Sequence, residues 1–187
     1  MKKYAILATL MLLAIGLGSF QYWAVGSQST ASAGVGTIPD SVDVWGYNKG
    51  TIIGGNSGDV DVVGRPGKVK GDQYLFKIKP AASYNGDYKA TLYLVNAGEL
   101  ADELRYLNIN VSCRKYSNAG NQKGEEFKAL TLDNGRVEFH LDWSNDNGDG
   151  VDYYRIYIEG GSYYANRAMS PGEINFILDV EETGTTS

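Results

Sequence analysis

The chain has one cysteine, one histidine and four prolines among 187 residues, and each scarcity removes a class of explanation. A single thiol, Cys113, forbids an intrachain disulfide, so the fold must hold by packing, with or without bound metal. A single imidazole, His140, leaves only one candidate base for a serine-hydrolase arrangement. Basic residues are outnumbered, 17 against 22 acidic ones. That balance argues against nucleic acid, whose phosphates demand a basic face, and it suits cations. Helical periodicity is convincing only once in the body of the chain, which leaves little for a helical architecture.

What is present begins with the first 39 residues. Lys2 and Lys3 precede an apolar run from Tyr4 to Phe20, broken only by Gly16, Gly18 and Ser19. Small-x-small endings follow at Ala24-Val25-Gly26 and Ala31-Ser32-Ala33. This is the pattern of a cleavable export leader, and short c-regions favour cleavage after Gly26, with Ala33 as the alternative. A retained anchor is the competing reading, since the run is near the lower limit of about 17 apolar residues for crossing a bilayer. A prepilin-like leader would need cleavage ahead of the apolar run, and no glycine lies between Lys3 and that run. Loss of Lys2 and Lys3 with the leader takes the formal charge from −5 to −7. The expectation is a secreted, extracellular protein with no membrane contact after cleavage. It divides into a leader (1–26), an N-terminal arm (27–39), a single domain (40–182) large enough for a real core, and a polar tail (183–187).

Within the domain, period-2 alternation recurs between turn signals. It predicts strands near Val42–Trp45, Val60–Val63, Gln73–Lys79, Tyr88–Val95, Leu107–Cys113, Phe127–Leu132, Arg136–Asp142, Asp152–Ile158 and Ile174–Val180. One short helix is predicted at Gly98–Leu107, where Leu100, Leu104 and Leu107 share a face. With 14 tyrosines and 24 glycines, the composition fits many short strands joined by tight turns. The expected fold is all-β, a two-sheet antiparallel sandwich of jelly-roll type with one short helix and an extended N-terminal arm.

Alternation also settles the residues that invite catalytic readings. Val137, Phe139 and Leu141 take the inward side of their strand, which turns His140 to solvent beside Glu138, with no evident orienting carboxylate. Ile109, Val111 and Cys113 share an apolar face, so the thiol is expected to be buried and inert. The same parity turns Asn110 outward, where Asn110-Val111-Ser112 forms a glycosylation sequon. An unmodified strand asparagine is the alternative. Gly55-Asn56-Ser57-Gly58 only faintly resembles a nucleophile loop, and Gly64-Arg65-Pro66-Gly67-Lys68 has the wrong spacing to cradle phosphate, so it reads as a turn. A glycosidase pair of carboxylates stays open because their separation is not legible in sequence. The inventory points away from an enzyme.

The strongest chemical constellation runs from Asp142 to Asp152. Calcium needs six to eight oxygens, and short acidic or amide side chains at alternate positions around a glycine bend can converge on one ion. Asn145, Asn147, Asp149 and Gly150 match the spacing of a D-x-[DN]-x-[DN]-G loop, although the first position is Asn and the twelfth, Ile156, offers no carboxylate. The expected ligands are Asp146, Asp149 and Asp152, with Asp142, Asn145 and Asn147 around them. The alternative is a long hairpin turn, for which Asn, Asp and Gly are equally suited. Asp133-Asn134-Gly135 reads more plainly as a two-strand connection.

The arm, Ser27 to Ile38, holds no proline and no charge, so nothing prevents its joining a sheet ladder throughout. Twelve residues at about 3.3 Å each reach roughly 40 Å. Alone it has too little apolar surface to offset the entropy of ordering. Added to another copy it would gain main-chain hydrogen bonds through residues such as Ser29, Ala31, Ala33 and Thr37, while Val35 and Ile38 enter pockets. Donor and acceptor are different patches of one molecule, so such a contact propagates head to tail. A disordered linker is the alternative.

A series of blocks in order then brings a family into view: Val42-Asp43-Val44-Trp45-Gly46, Gly58-Asp59-Val60, Val62-Val63-Gly64, Pro66-Gly67-Lys68-Val69-Lys70-Gly71-Asp72, Lys77-Ile78-Lys79-Pro80, Ala90-Thr91-Leu92-Tyr93-Leu94, Asn96-Ala97-Gly98-Glu99-Leu100 and Leu130-Thr131-Leu132-Asp133-Asn134-Gly135. Over Val42 to Asp142 the chain resembles the cannula subunits of hyperthermophilic archaea, secreted proteins that build hollow extracellular tubules linking cells. The resemblance implies a jelly-roll-like sandwich, calcium-promoted polymerisation, and subunits joined by an N-terminal strand passed to the next copy. It carries over no calcium ligand, and the acidic loop lies beyond the matched blocks. The resulting expectation is a structural subunit that partners with copies of itself, with calcium as cofactor. Two alternatives stand beside it: a calcium-dependent carbohydrate-binding module using exposed tyrosines such as Tyr153, Tyr154, Tyr163 and Tyr164 to meet glycans, unless those rings are cross-strand sheet packing, and a TasA-like biofilm fibre protein.

Overall fold

The computed structural model describes residues 30–53, 66–81, 86–143, 152–165 and 173–184. These form strands β1 (Thr30–Val35), β2 (Val42–Gly46), β3 (Lys49–Thr51), β4 (Pro66–Val69), β5 (Gln73–Pro80) and β6 (Asp87–Leu94), a helix α1 (Ala97–Glu103), then β7 (Leu104–Tyr116), β8 (Gln122–Thr131), β9 (Arg136–Asp142), β10 (Tyr153–Ala165) and β11 (Ile174–Gly184). One sheet has the order β3-β1-β11-β6-β9 and the other β2-β5-β10-β7-β8, with β4 also paired to β10. The predicted leader, the strand at Val60–Val63 and Ser29 lie outside the described residues.

The two sheets pack face to face because each strand alternates. Ala90, Leu92, Phe139, Leu141, Phe176 and Leu178 point inward from the first sheet and are buried. Phe76, Ile78, Ile109, Val111, Ile156 and Ile158 meet them from the second. Burying each large apolar side chain contributes about 1.5–3 kcal/mol, which is how a chain without disulfides closes a sandwich. Cys113 belongs to this layer and His140 is exposed, as alternation predicts.

Several local readings are corrected. The helix stops at Glu103, where Leu104 turns extended (φ −112°, ψ 129°) and opens β7 by pairing with Ala165. Ladder bonds to β10 outcompete another helical turn, yet Leu100, Leu104 and Leu107 are all buried. The segment read as a turn at Gly64–Lys68 contributes Pro66–Val69 to β4; proline is tolerated at a strand's first residue. Gly67 lies under a ring there, since a Cβ on it would come within 2.1 Å of Tyr163 Cζ. Asp133-Asn134-Gly135 does connect two strands, as a corner that carries the chain from β8 in one sheet to β9 in the other. Gly135 takes φ 59°, and Asn134 accepts from the Thr131 N–H at 2.8 Å and donates to the Ala129 carbonyl at 2.8 Å. The acidic loop likewise joins strands of different sheets, β9 and β10, which removes the long-hairpin reading.

Tyr153, Tyr154 and Tyr163, expected to be exposed, are buried. Tyr154 follows the inward parity of Ile156 and Ile158, and then a bulge at Gly160 and Gly161 (φ 118° and 155°) shifts the register so that Tyr163 faces inward as well. At Gly161 a Cβ would sit 2.0 Å from the Asn108 carbonyl oxygen, so only glycine fits. Tyr153 is on the outer face but covered by the Tyr116 ring, stacked at 5.4 Å.

Candidate functional site

The feature that distinguishes this sandwich is the seat of its N-terminal strand. β1 pairs parallel with β11, placing Ala31, Ala33 and Val35 opposite Ile174, Phe176 and Leu178, and pairs antiparallel with β3 on its other edge. It follows that β3 and β11 run antiparallel to each other with β1 inserted between them. Every other ladder among the described residues is antiparallel. Without β1 the two flanking strands would border a gap about 9–10 Å wide, twice the usual strand spacing.

The sequence of β1 suits this seat. Ala31 and Ala33 point into the core as small buried methyl groups, while Val35 and Ile38 are half-buried against its rim. Beyond Val35 the ladder continues: the Gly36 N–H donates to the Leu178 carbonyl at 2.9 Å, and the Val180 N–H donates to the Thr37 carbonyl at 2.9 Å. The Thr37 N–H donates to the Asp179 carboxylate at 2.8 Å. Gly36 is required where the strand leaves, because a Cβ would fall 1.9 Å from Asp179 Oδ1. On the other edge the Ala33 N–H donates to Asn48 Oδ1 at 2.9 Å. The strand is therefore held mainly through main-chain hydrogen bonds on two edges, each worth about 0.5–1.5 kcal/mol net, and little through side-chain burial. An arm expected to lie along a neighbour thus lies in the slot of its own chain, where the same hydrogen bonds are available.

Residues 144–151 of the acidic loop, including Asn145, Asp146, Asn147 and Asp149, lie outside the described residues; its two ends do not. Trp143 is buried between Tyr88 and Tyr154, with edge-to-face contacts at 5.2 and 5.4 Å, and its indole N–H donates to the Asp152 carbonyl at 2.9 Å. The loop is thereby closed at its base. The Tyr154 hydroxyl donates to the Asp142 carbonyl at 3.0 Å, which also accepts from Lys115. The Asp152 carboxylate, expected to be a principal ligand, is buried against Lys123 at 2.8 Å and Lys115 at 3.6 Å. A calcium ion would have to compete with both ammonium groups for it. Among the described residues no three His, Cys, Asp or Glu side chains converge.

Asn110 is exposed on the outer face of β7, and Ser112 of the same sequon is buried and donates to Glu159. His140 does have a carboxylate within reach, contrary to expectation: Asp87 on β6 lies 3.4 Å from its Nε2. Pairing across two strands, invisible in sequence, brings them together, while Ser57 lies outside the described residues. Among the described residues no helix is long and apolar enough to cross a membrane.

No protein-family model matches the sequence, and no curated protein matches it.

Proposed function

We propose that the protein is a structural subunit of an extracellular tubule or filament, polymerising head to tail by donating its N-terminal strand to the β3/β11 slot of the next copy, with calcium promoting assembly. The observation that supports this most is the insertion of β1, parallel to β11, between two strands that are antiparallel to each other. Exchange of that strand replaces each intramolecular hydrogen bond by the same bond to a neighbour, so it costs no contacts. The two inward alanines make the strand a thin wedge that can enter a preformed slot without repacking the core. In this reading β1-β11-β6-β9 faces β5-β10-β7-β8 as a jelly roll, and the export leader and the likeness to cannula subunits point the same way.

Calcium in this reading is held by oxygens of Asp142, Asn145, Asp146, Asn147 and Asp149. The Trp143–Asp152 bond fixes the base of the loop. Asp152 stays with Lys115 and Lys123 as their counter-charge. The ion would reduce repulsion between subunits that carry an excess of carboxylates.

The competing reading is a closed monomer in which β1 is a permanent strand of its own sheet. Protein lacking residues 1–26, incubated with millimolar calcium at elevated temperature, separates the two by light scattering and electron microscopy. Strand donation predicts filaments or tubes, a folded but unassembled monomer when residues 27–38 are also removed, and capping of that monomer by a synthetic peptide of residues 30–38. Flat scattering from the longer protein, or normal tubes from the truncated one, would overturn it.

A further inference from the structure

We infer that the outer face of the sheet β2-β5-β10-β7-β8 binds an anionic polysaccharide, through lysine and arginine groups laid over aromatic rings. This face needs no polymer, so it stands or falls separately from the tubule reading. Trp45 and Tyr47 are exposed at its β2 edge, at 42% and 37% of their surface, and Tyr106 on β7 and Phe127 on β8 are exposed as well. Tyr47 leads inward to Tyr74 at 4.7 Å and on to Tyr157 at 5.5 Å, forming a continuous aromatic floor across the strands. Four strands at the usual spacing make it about 15 Å across, room for an oligosaccharide.

Cations sit on this floor in a regular way. Lys77 Nζ lies 5.4 Å from the Trp45 centroid and 4.9 Å from that of Tyr153. Lys49 Nζ bridges Tyr47 and Tyr74 at 5.4 and 5.3 Å. Arg155 is centred over Tyr74, Tyr116 and Tyr153 at 5.0, 5.0 and 5.1 Å, and its Nε is buried without a hydrogen-bond partner. The face also has carboxylates, but Glu125 and Glu159 are each held by Arg114 at 2.6 Å, and Asp43 lies on the β2 rim opposite Lys79. Lys49, Lys77 and Arg155 therefore rest on rings and make no ion pair among the described residues. Such contacts are worth about 0.5–1 kcal/mol at exposed sites, too little to prevent a carboxylate from drawing the ammonium groups to itself.

Charge complementarity selects the partner. A second copy could offer the outer face of its other sheet, but the acids there are engaged: Glu181 and Glu138 with Lys89, Asp179 with the Thr37 N–H, and Asp87 beside His140. A neutral glycan would leave three cations without a function. Nucleobases need open ring faces for stacking, whereas Trp45 and Tyr47 each carry a lysine. A sugar acid fits this arrangement, its carboxylates meeting Lys49 and Lys77 where they lie over the rings.

The test uses protein lacking residues 1–26 in calcium-free buffer, with polygalacturonate, neutral dextran and oligothymidylate as probes, read by tryptophan fluorescence and by retardation in polysaccharide-containing gels. Polygalacturonate binding is expected, weakened by salt. Trp45→Ala and Lys77→Glu should each reduce affinity about tenfold, equivalent to about 1.4 kcal/mol, with melting temperature unchanged. No polygalacturonate binding, binding that both variants retain, equal retention on dextran, or tighter binding of oligothymidylate would each overturn the proposal.

Discussion

Ala33 near the chain's N-terminal end stands opposite Phe176 of the C-terminal strand in parallel register, so the first and last strands meet within one sheet. The pairing is unequal: a methyl group on the inserted strand lies against a large fixed ring, and both are buried. Under the strand-donation proposal, so small a side chain would let the strand enter a slot already formed.

Enlarging that methyl group tests the wedge. Ala33→Leu adds volume where the slot is already filled, and overpacking of this kind costs about 1–3 kcal/mol. A strand held mostly by main-chain bonds would then be displaced before the sandwich unfolds. Calcium-induced scattering should fall sharply while the principal thermal transition moves by only a few degrees; assembly at the wild-type rate would contradict the tight fit.

Asp152 separates a structural carboxylate from a calcium ligand. Its oxygens are buried against Lys123 and Lys115, which are themselves partly exposed. Asp152→Asn removes the buried negative charge that both ammonium groups face, and with allowance for their exposure the expected loss is about 1–3 kcal/mol in urea denaturation. Calcium titration by calorimetry should show weaker binding for Asp149→Ala and unchanged binding for Asp152→Asn. The reverse order would make Asp152 the ligand.

Cys113 should be silent towards thiol reagents until the protein unfolds. Burial, with a smaller contribution from the Glu126 carboxylate, holds its thiol well above the ordinary value of 9.0. Burial likewise raises the Tyr154 phenol above its ordinary 10.0. Both groups favour their neutral forms in the folded state, so their contribution is fully present below those ordinary values. It is lost as pH climbs beyond 9 and then 10, because only the unfolded chain ionises easily there. Chemical denaturation across pH 7–11 should show a flat region followed by alkaline loss, and rapid labelling of Cys113 at pH 8 would contradict its burial.

Much of this molecule is legible in sequence because alternation reports burial directly. Arg136–Asp142 coincides with β9, and the inward set Val137, Phe139 and Leu141 and the outward His140 follow from parity alone. Parity fails where the register does: the bulge at Gly160 and Gly161 reverses the faces of β10, so Tyr163 is core. Which sheet a strand joins is a non-local property. Asn134-Gly135 has the composition of a hairpin, but nothing in those residues says that β8 and β9 belong to different layers. The slot was hidden for the same reason. Ala31, Ala33 and Val35 advertise a ladder-forming strand, while its partners, Ile174 to Leu178, lie at the other end of the chain. The aromatic floor under Lys49, Lys77 and Arg155 was missed because its rings come from four segments, none of which is unusual alone.

Ser32 and Asn175 give the most direct measurement. They are register partners in the β1/β11 ladder, and adjacent strands lie within the Cα separation a disulfide can bridge. In a Ser32→Cys/Asn175→Cys variant, with Cys113 buried, oxidation of calcium-assembled polymer followed by non-reducing electrophoresis should give a covalent ladder of multimers. Oxidation before calcium should give cross-linked monomer that no longer assembles. Monomer bands alone from fully formed filaments would show that each copy keeps its own N-terminal strand, and would contradict strand donation.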